Sequence, residues 1–359
     1  MVLFVELLQV ALGQRVTLSR QPNYEEWRSI YNTAQKQAIV GVLFEGIQVL
    51  SNEKEDIGIP QSLLFEWIAA SEEIKTQNLL VNKRVAEVSQ YFLSQGKRSC
   101  ILKGQGNAIM YPNPLSRMPG DVDIWVEGTK KDVTKIVRSK FPNVYAQYHH
   151  IDFPIFQGVE VEVHYKPSRL NNPFYNWRLQ SFYQNCKSLQ LNHECRELDS
   201  NGHVCTPLRD FNLIFQLSHV MNHFFTEGVG LRQLMDYYFL VRQDYSEMER
   251  KEYRSRIKNF GMRKFACSVM WVLKEVFALE DQYLLAKPYC RGGRLLLKEV
   301  MATGNFGMYD ERYTNRHKGN WRRLFTDLYR DMTLAWVFPA EALSMPWAKL
   351  ENQIYKSRK

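Results

Sequence analysis

Over the first 95 residues, apolar positions recur at three- and four-residue spacing. The segments "YEEWRSIYNTAQKQAIVGVLFEGIQVL" and "PQSLLFEWIAASEEIKTQNLLVNKRVAEVSQYFLSQG" both carry that period, which predicts amphipathic helices. Pro60 suits the first turn of the second group and Gly96 its end. The opening "MVLFVELLQVALGQR" reads as a helix closing near Gly13. It has no basic leader, Glu6 breaks the apolar run, and no small-x-small cleavage site follows. From residue 98 the period changes. "RSCILKG" is a short apolar run closed by glycine, and "QGNAIMY" has room for one or two helical turns before "PNP". "DVDIWVEG" and "GVEVEVHYKP" are read as strands, the second alternating cleanly with period two, and "NVYAQYHHIDFPIF" holds a further strand or two. Residues 129–141 return to helical spacing. After residue 205, Thr206 as N-cap and Pro207 at N1 open a long helical stretch, and helical patterns continue through "RSRIKNFGMRKFACSVMWVLKEVFAL" and "WRRLFTDLYRDMTLAWVF". The pattern predicts an α+β chain in three parts: a helical region at 1–95, a mixed core at 96–204 and a helical region at 205–359.

Composition narrows the class. In 359 residues, 45% hydrophobic and 24% charged content excludes a disordered chain. A net charge of +9 favours an anionic partner such as a nucleotide, a nucleic acid or an acidic surface. The basic residues are spread along the chain, and no aromatic–basic motif of a nucleic-acid module accompanies them. Cysteines 100, 186, 195, 205, 267 and 290 form no C-x-x-C pair and read as reduced thiols of a cytoplasmic protein. No stretch has the length needed to span a bilayer. The basic, aromatic segment after residue 320 reads as packing on the preceding helices, with "KSRK" as a solvated end.

The chemistry concentrates in "SRMPGDVDIWVEG". Asp121 and Asp123 sit two apart on a strand and so point the same way, where like charges repel unless a cation lies between them. In "VEVEVHY", Glu160, Glu162 and His164 share one face and the valines the other. Either strand alone is explained by a sheet with one face packed and the other wet. If the two strands are neighbours, the carboxylates converge into an oxygen cluster suited to Mg²⁺ or Mn²⁺, the arrangement that in-line phosphoryl or nucleotidyl displacement uses. "ILKGQGNAIMY" supplies a strand-to-helix turn for phosphate: Gly104 and Gly106 let backbone approach closely, and Lys103 adds a point charge. Arg117 is a second candidate for phosphate contact. His219 and His223 lie one helical turn apart, but no third ligand is placed to complete a metal site, so a hydrogen-bonding role is the default. Arg232 and Asp236, four apart, read as a helix-face ion pair.

The order of glycine turn, short helix, hydrophobic-D-x-D-hydrophobic strand and a later acid resembles the DNA polymerase β nucleotidyltransferase superfamily. "LKGQGNAIMYPNPLSRMPGDVDIWV", "VEVHY" and "HVMNHFF…GLRQLMDYYFLV" more closely resemble the uncharacterised nucleotidyltransferases, over roughly residues 30–240. The resemblance implies a polymerase β-like mixed sheet with flanking helices, an NTP as substrate and Mg²⁺ or Mn²⁺ as cofactor. It makes Asp121 and Asp123 the metal-binding pair and Glu162, two before His164, the third carboxylate in preference to Glu160. Lys103 and Gly104 would contact the triphosphate, and His164, His219, His223, Arg232 and Asp236 would lie toward the acceptor. The turn carries Lys-Gly where the superfamily has Gly-Ser, and the gap from Gly104 to Asp121 is longer than usual. The implied activity is transfer of an NMP to a hydroxyl of a small molecule, saccharide, protein or RNA end. The alternative is a catalytically inactive nucleotide-binding module.

Overall fold

The computed structural model describes residues 1–53, 56–192, 196–199, 202–310 and 330–348. The chain opens with α1 (Val2–Ala11), α2 (Tyr24–Lys36), α3 (Val40–Glu53) and the 34-residue α4 (Gln61–Ser94). α2 starts where Asn23 and Glu26 close a reciprocal capping box. α4 is amphipathic along two successive segments. Its first half buries Leu63, Trp67 and Ile74 in the larger core, and its second half buries Val81, Val85, Val88 and Phe92 under the sheet. One helix thereby bridges two cores.

The sheet is built from β1 (Ser99–Ile101), the short α5 (Gln105–Ala108), β2 (Val122–Val126), α6 (Lys130–Lys140), β3 (His150–Asp152) and β4 (Val161–His164). Its order is β1-β2-β4-β3, with β2 and β4 parallel in the centre and an antiparallel strand on each edge. The fold is α+β, a four-stranded mixed sheet among helices. Val122, Ile124 and Val126 of β2 join Val161 and Val163 of β4 on one face, packed on α4 and α6. The opposite face is not wet, as the alternation alone allows. β2 is buried at every position, because helices cover both sides of this central strand.

The chain continues through α7 (Pro173–Asn192), the hairpin β5 (Arg196–Asp199) and β6 (Gly202–Val204), then α8 (Arg209–Thr226), α9 (Leu231–Val241), α10 (Glu247–Asn259), α11 (Arg263–Phe277) and α12 (Cys290–Thr303). α7 and the hairpin were not anticipated from the sequence. Apolar side chains of α1–α3 and of α8–α12 share one large cluster. Gly41, in α3, lets the turn at Pro114–Ser116 approach: a Cβ there would lie 2.4 Å from the Ser116 carbonyl oxygen. Leu334, Val337 and Phe338 of the tail pack into the same cluster, while Trp336 stays exposed. "KSRK" lies outside the described residues. No helix among the described residues is long and apolar enough to cross a membrane.

Glu341 is 1% exposed and accepts from the Asn171 backbone N–H at 2.9 Å, while its Oε1 has no hydrogen-bond partner. Burial raises its pKa to about 7. The folded value lies above the unfolded one, so the neutral form favours folding and stability falls as pH rises from about 4.5 through 7. Glu341→Gln is expected to match the native protein at pH 4 and to exceed it by on the order of 3 kcal/mol at pH 8. Urea unfolding at the two pH values measures the gap. A gap that does not change with pH would refute the assignment.

Candidate active site

β2 and β4 place the acids. Parallel register sets Asp123 opposite Glu162 and Trp125 opposite His164. Period-two alternation then turns Asp123, Glu162 and His164 away from the valine core, toward α8. Asp123 and His164 are almost wholly buried, and Glu162 is partly open. Asp121 lies on the segment entering β2 and makes no hydrogen bond or ion pair with the described residues. It lines a cleft of about 840 Å³ together with Lys103, Glu160, Glu162 and His164.

Two cations meet Asp123. Lys103 Nζ lies 2.8 Å from Oδ1 and His164 Nε2 lies 2.7 Å from the same oxygen. His164 Nε2 is also 3.3 Å from Glu162 Oε2, and its Nδ1 is 3.2 Å from the Lys166 carbonyl oxygen. With an acceptor facing each ring nitrogen, the doubly protonated imidazole fits this pocket. Burial alone would lower His164, but bonds to Asp123 and Glu162 outweigh it and raise its pKa to about 9. Burial likewise opposes the charge on Asp123, and Lys103 with His164 outweighs it, leaving the carboxyl below its ordinary value. Lys103 is raised because Asp123, Asp121 and Glu162 overcome the cost of its burial.

The phosphate-turn residues divide. Gly104 sits at φ +54, a conformation that disfavours a side chain, and a Cβ there would lie 3.3 Å from the Asp121 carbonyl oxygen. Gly106 is turned inward instead: a Cβ there would lie 2.8 Å from the Ile101 carbonyl oxygen, so this glycine serves the packing of α5 on β1. That corrects its expected place at the phosphates. Arg117 is corrected too. Its Nε and Nη2 donate to Asp236 at 2.8 and 2.9 Å, Nη1 donates to the Met118 carbonyl, and the residue is 4% exposed.

Asp236 therefore does not pair with Arg232 on its own helix. It is buried and also accepts from the Tyr111 hydroxyl at 2.7 Å and Asn107 Nδ2 at 3.1 Å. Arg232 donates instead to the Met118 and Pro119 carbonyls at 3.0 Å each, bracing the loop before Asp121. Burial first, and then the charge of Arg117, lower its pKa to about 10.

His219 Nε2 faces Lys103 Nζ at 3.3 Å, and burial with that neighbouring charge holds this imidazole neutral. His223 Nδ1 pairs with Glu227 at 2.9 Å. Both histidines line the cleft, as does Arg232, whereas Asp236 lines a small recess behind it. Sequence reasoning passed over His149, His150 and Phe306, which also line the cleft. Phe306 has φ +50, lies 5.6 Å from the Arg232 guanidinium and stacks edge-on to His223. Its signal was available: an aromatic bracketed by Gly304 and Gly307, both at positive φ.

The donor set fits a divalent cation. Asp123, buried, and Glu162, partly open, are held side by side, and one ligand atom each of Asp123, Glu162 and His164 lies within 4.8 Å of the other two. Asp121 adds a carboxylate at the cleft wall that makes no hydrogen bond or ion pair among the described residues. Hard oxygen donors of this kind suit Mg²⁺ or Mn²⁺.

A family model described as "Uncharacterised nucleotidyltransferase" matches residues 23–278. Among solved structures, the chain is similar to an antigenic nucleotidyltransferase-like protein from Paracoccidioides brasiliensis. Identity is 16% over 61% of this chain and 95% of that chain, with a TM-score of 0.35. No curated protein matches.

Proposed function

The chain belongs to the uncharacterised nucleotidyltransferase family, and from that premise we propose a Mg²⁺- or Mn²⁺-dependent transfer of a nucleoside monophosphate from an NTP to a hydroxyl acceptor, with pyrophosphate leaving. The observation that carries the reading is Asp123 opposite Glu162 on parallel β2 and β4, with Glu162 at the cleft wall, Asp123 in the small recess behind it and Asp121 lining both. Asp121, Asp123 and Glu162 would hold the metal, which when bound neutralises phosphate charge and activates the acceptor oxygen. Lys103 supplies a fixed positive charge beside Asp123, and Gly104 keeps its backbone open to a close-lying phosphate. Burial opposes the charge on Glu162, but bonding to His164 and the nearby His150 and Lys103 hold its carboxyl below the usual range, so it acts as a ligand rather than as a strong base. Lys103, His164 and Arg232 place positive charge in a cleft whose acids, Asp121, Glu160 and Glu162, would be met by the metal.

A second reading, a nucleotide-binding module without turnover, is favoured by one feature: Lys103 and His164 both grip the same oxygen of Asp123. The two readings separate in a screen of the four NTPs with Mg²⁺ or Mn²⁺, a panel of hydroxyl acceptors and the protein itself as acceptor. Mass spectrometry is expected to find an NMP increment, matched by released pyrophosphate. Nucleotide binding with no pyrophosphate across the panel would leave the module reading in its place.

A further inference from the structure

We propose that the outer edge of the sheet carries a second metal position, distinct in chemistry from the all-oxygen one: a divalent transition-metal site formed by His150 of β3, Asp152 of β3 and Glu162 of β4. The register builds it. Antiparallel pairing sets Asp152 opposite Glu162 and His150 opposite His164, so Asp123, Glu162 and Asp152 form one rung across three strands, with His150 on the next rung. One donor atom from each of His150, Asp152 and Glu162 lies within 4.8 Å of the other two.

His150 is the independent indication. It is 4% exposed, and neither ring nitrogen makes a hydrogen bond. A buried imidazole with both nitrogens unsatisfied is costly, and such groups find partners in native proteins. Carboxylates are close: Nδ1 is 3.3 Å from Glu162 Oε2 and Nε2 is 3.4 Å from Asp152 Oδ1, both outside hydrogen-bond geometry. An imidazolium held by two carboxylates would point its N–H groups at them. The two contacts fall on opposite ring nitrogens, so one ion takes only one of them. A ring nitrogen of His150 and one oxygen each of Asp152 and Glu162 lie within 4.8 Å of one another, and since donors about 2.1 Å from a tetrahedral ion sit roughly 3.4 Å apart, a small side-chain shift brings the three into one shell. One imidazole nitrogen with two carboxylate oxygens is a borderline set, selecting Zn²⁺, Co²⁺ or Mn²⁺ over Mg²⁺. The half-buried ring of His149, 4.4 Å from that of His150, adds a second imidazole at the same end of the sheet. Glu162 belongs to both positions and couples them.

The test uses the full chain stripped of metal, with Co²⁺ as the probe in millimolar Mg²⁺, read by visible absorption and by calorimetry. One equivalent of Co²⁺ with nitrogen-ligand d–d bands is expected. Asp152→Asn changes a largely exposed residue and should leave folding intact, while weakening Co²⁺ by at least about tenfold. His150→Gln should remove the bands. Asp121→Asn should leave them in place. Equal Co²⁺ affinity in Asp152→Asn, loss of the bands in Asp121→Asn instead, or no Co²⁺ uptake by the native chain would each overturn the proposal. Nucleotide turnover plays no part in this readout, so failure here and failure of nucleotidyl transfer are separate results.

Discussion

Asp121→Asn is expected to cut nucleotidyl transfer by roughly a thousandfold or more while leaving the fold intact. An ion clamp on the phosphates contributes several kcal/mol to the transition state, and each 1.4 kcal/mol is a factor of ten. Asp121 makes no hydrogen bond or ion pair with the described residues, so its loss should change stability by no more than about 0.5 kcal/mol. Asp123→Asn should abolish turnover equally but with a second cost. It withdraws the nearest countercharge from Lys103 and His164 together, leaving two buried cations to Glu162 and Asp121 alone. Initial rates alongside urea unfolding of both variants separate the two effects. Undiminished turnover in Asp121→Asn would remove that residue from the chemistry.

The largest loss of stability is expected from Arg117→Ala, about 3–5 kcal/mol, because it strands the Asp236 carboxylate in the protein interior. Burial opposes the charges of both groups and their pairing outweighs it, holding Asp236 low and Arg117 high. Replacing both partners, as Arg117→Met with Asp236→Leu, should recover much of the loss, since a buried pair exchanged for apolar volume is often close to neutral. The double-mutant cycle from denaturant midpoints gives the coupling energy. Additive single effects would show that the pair is not coupled.

The sheet and its acids were legible because they follow local rules. Period-two alternation in "VEVEVHY" and "DVDIWV" marks strands and assigns faces, and the β2–β4 pairing brings Asp123 to Glu162 as the carboxylate argument requires. What escaped was nonlocal. Arg232 and Asp236, four apart on one helix, satisfy the ion-pair rule, yet Asp236 turns to an arginine 119 positions earlier, where a planar bidentate partner is available. Gly106 was misplaced because close approach to a phosphate and close approach to a strand demand the same residue. His149 and His150 carried no local signal. Their strand has three residues, and only its pairing with β4 gives them a place.

The Arg117–Asp236 pair also bears on how the protein is made. Translation delivers β1 through β4 well before the codons for α9, so a nascent sheet carries the Asp121 loop with its arginine still unanswered. Asn78 of α4 already holds the Leu115 and Arg117 carbonyls, but the arginine's countercharge arrives only when the later helices dock, so the loop gains its last anchor late, on or off the ribosome. A stalled or clipped product ending before residue 236 would carry a buried arginine without its carboxylate, and so a less stable loop.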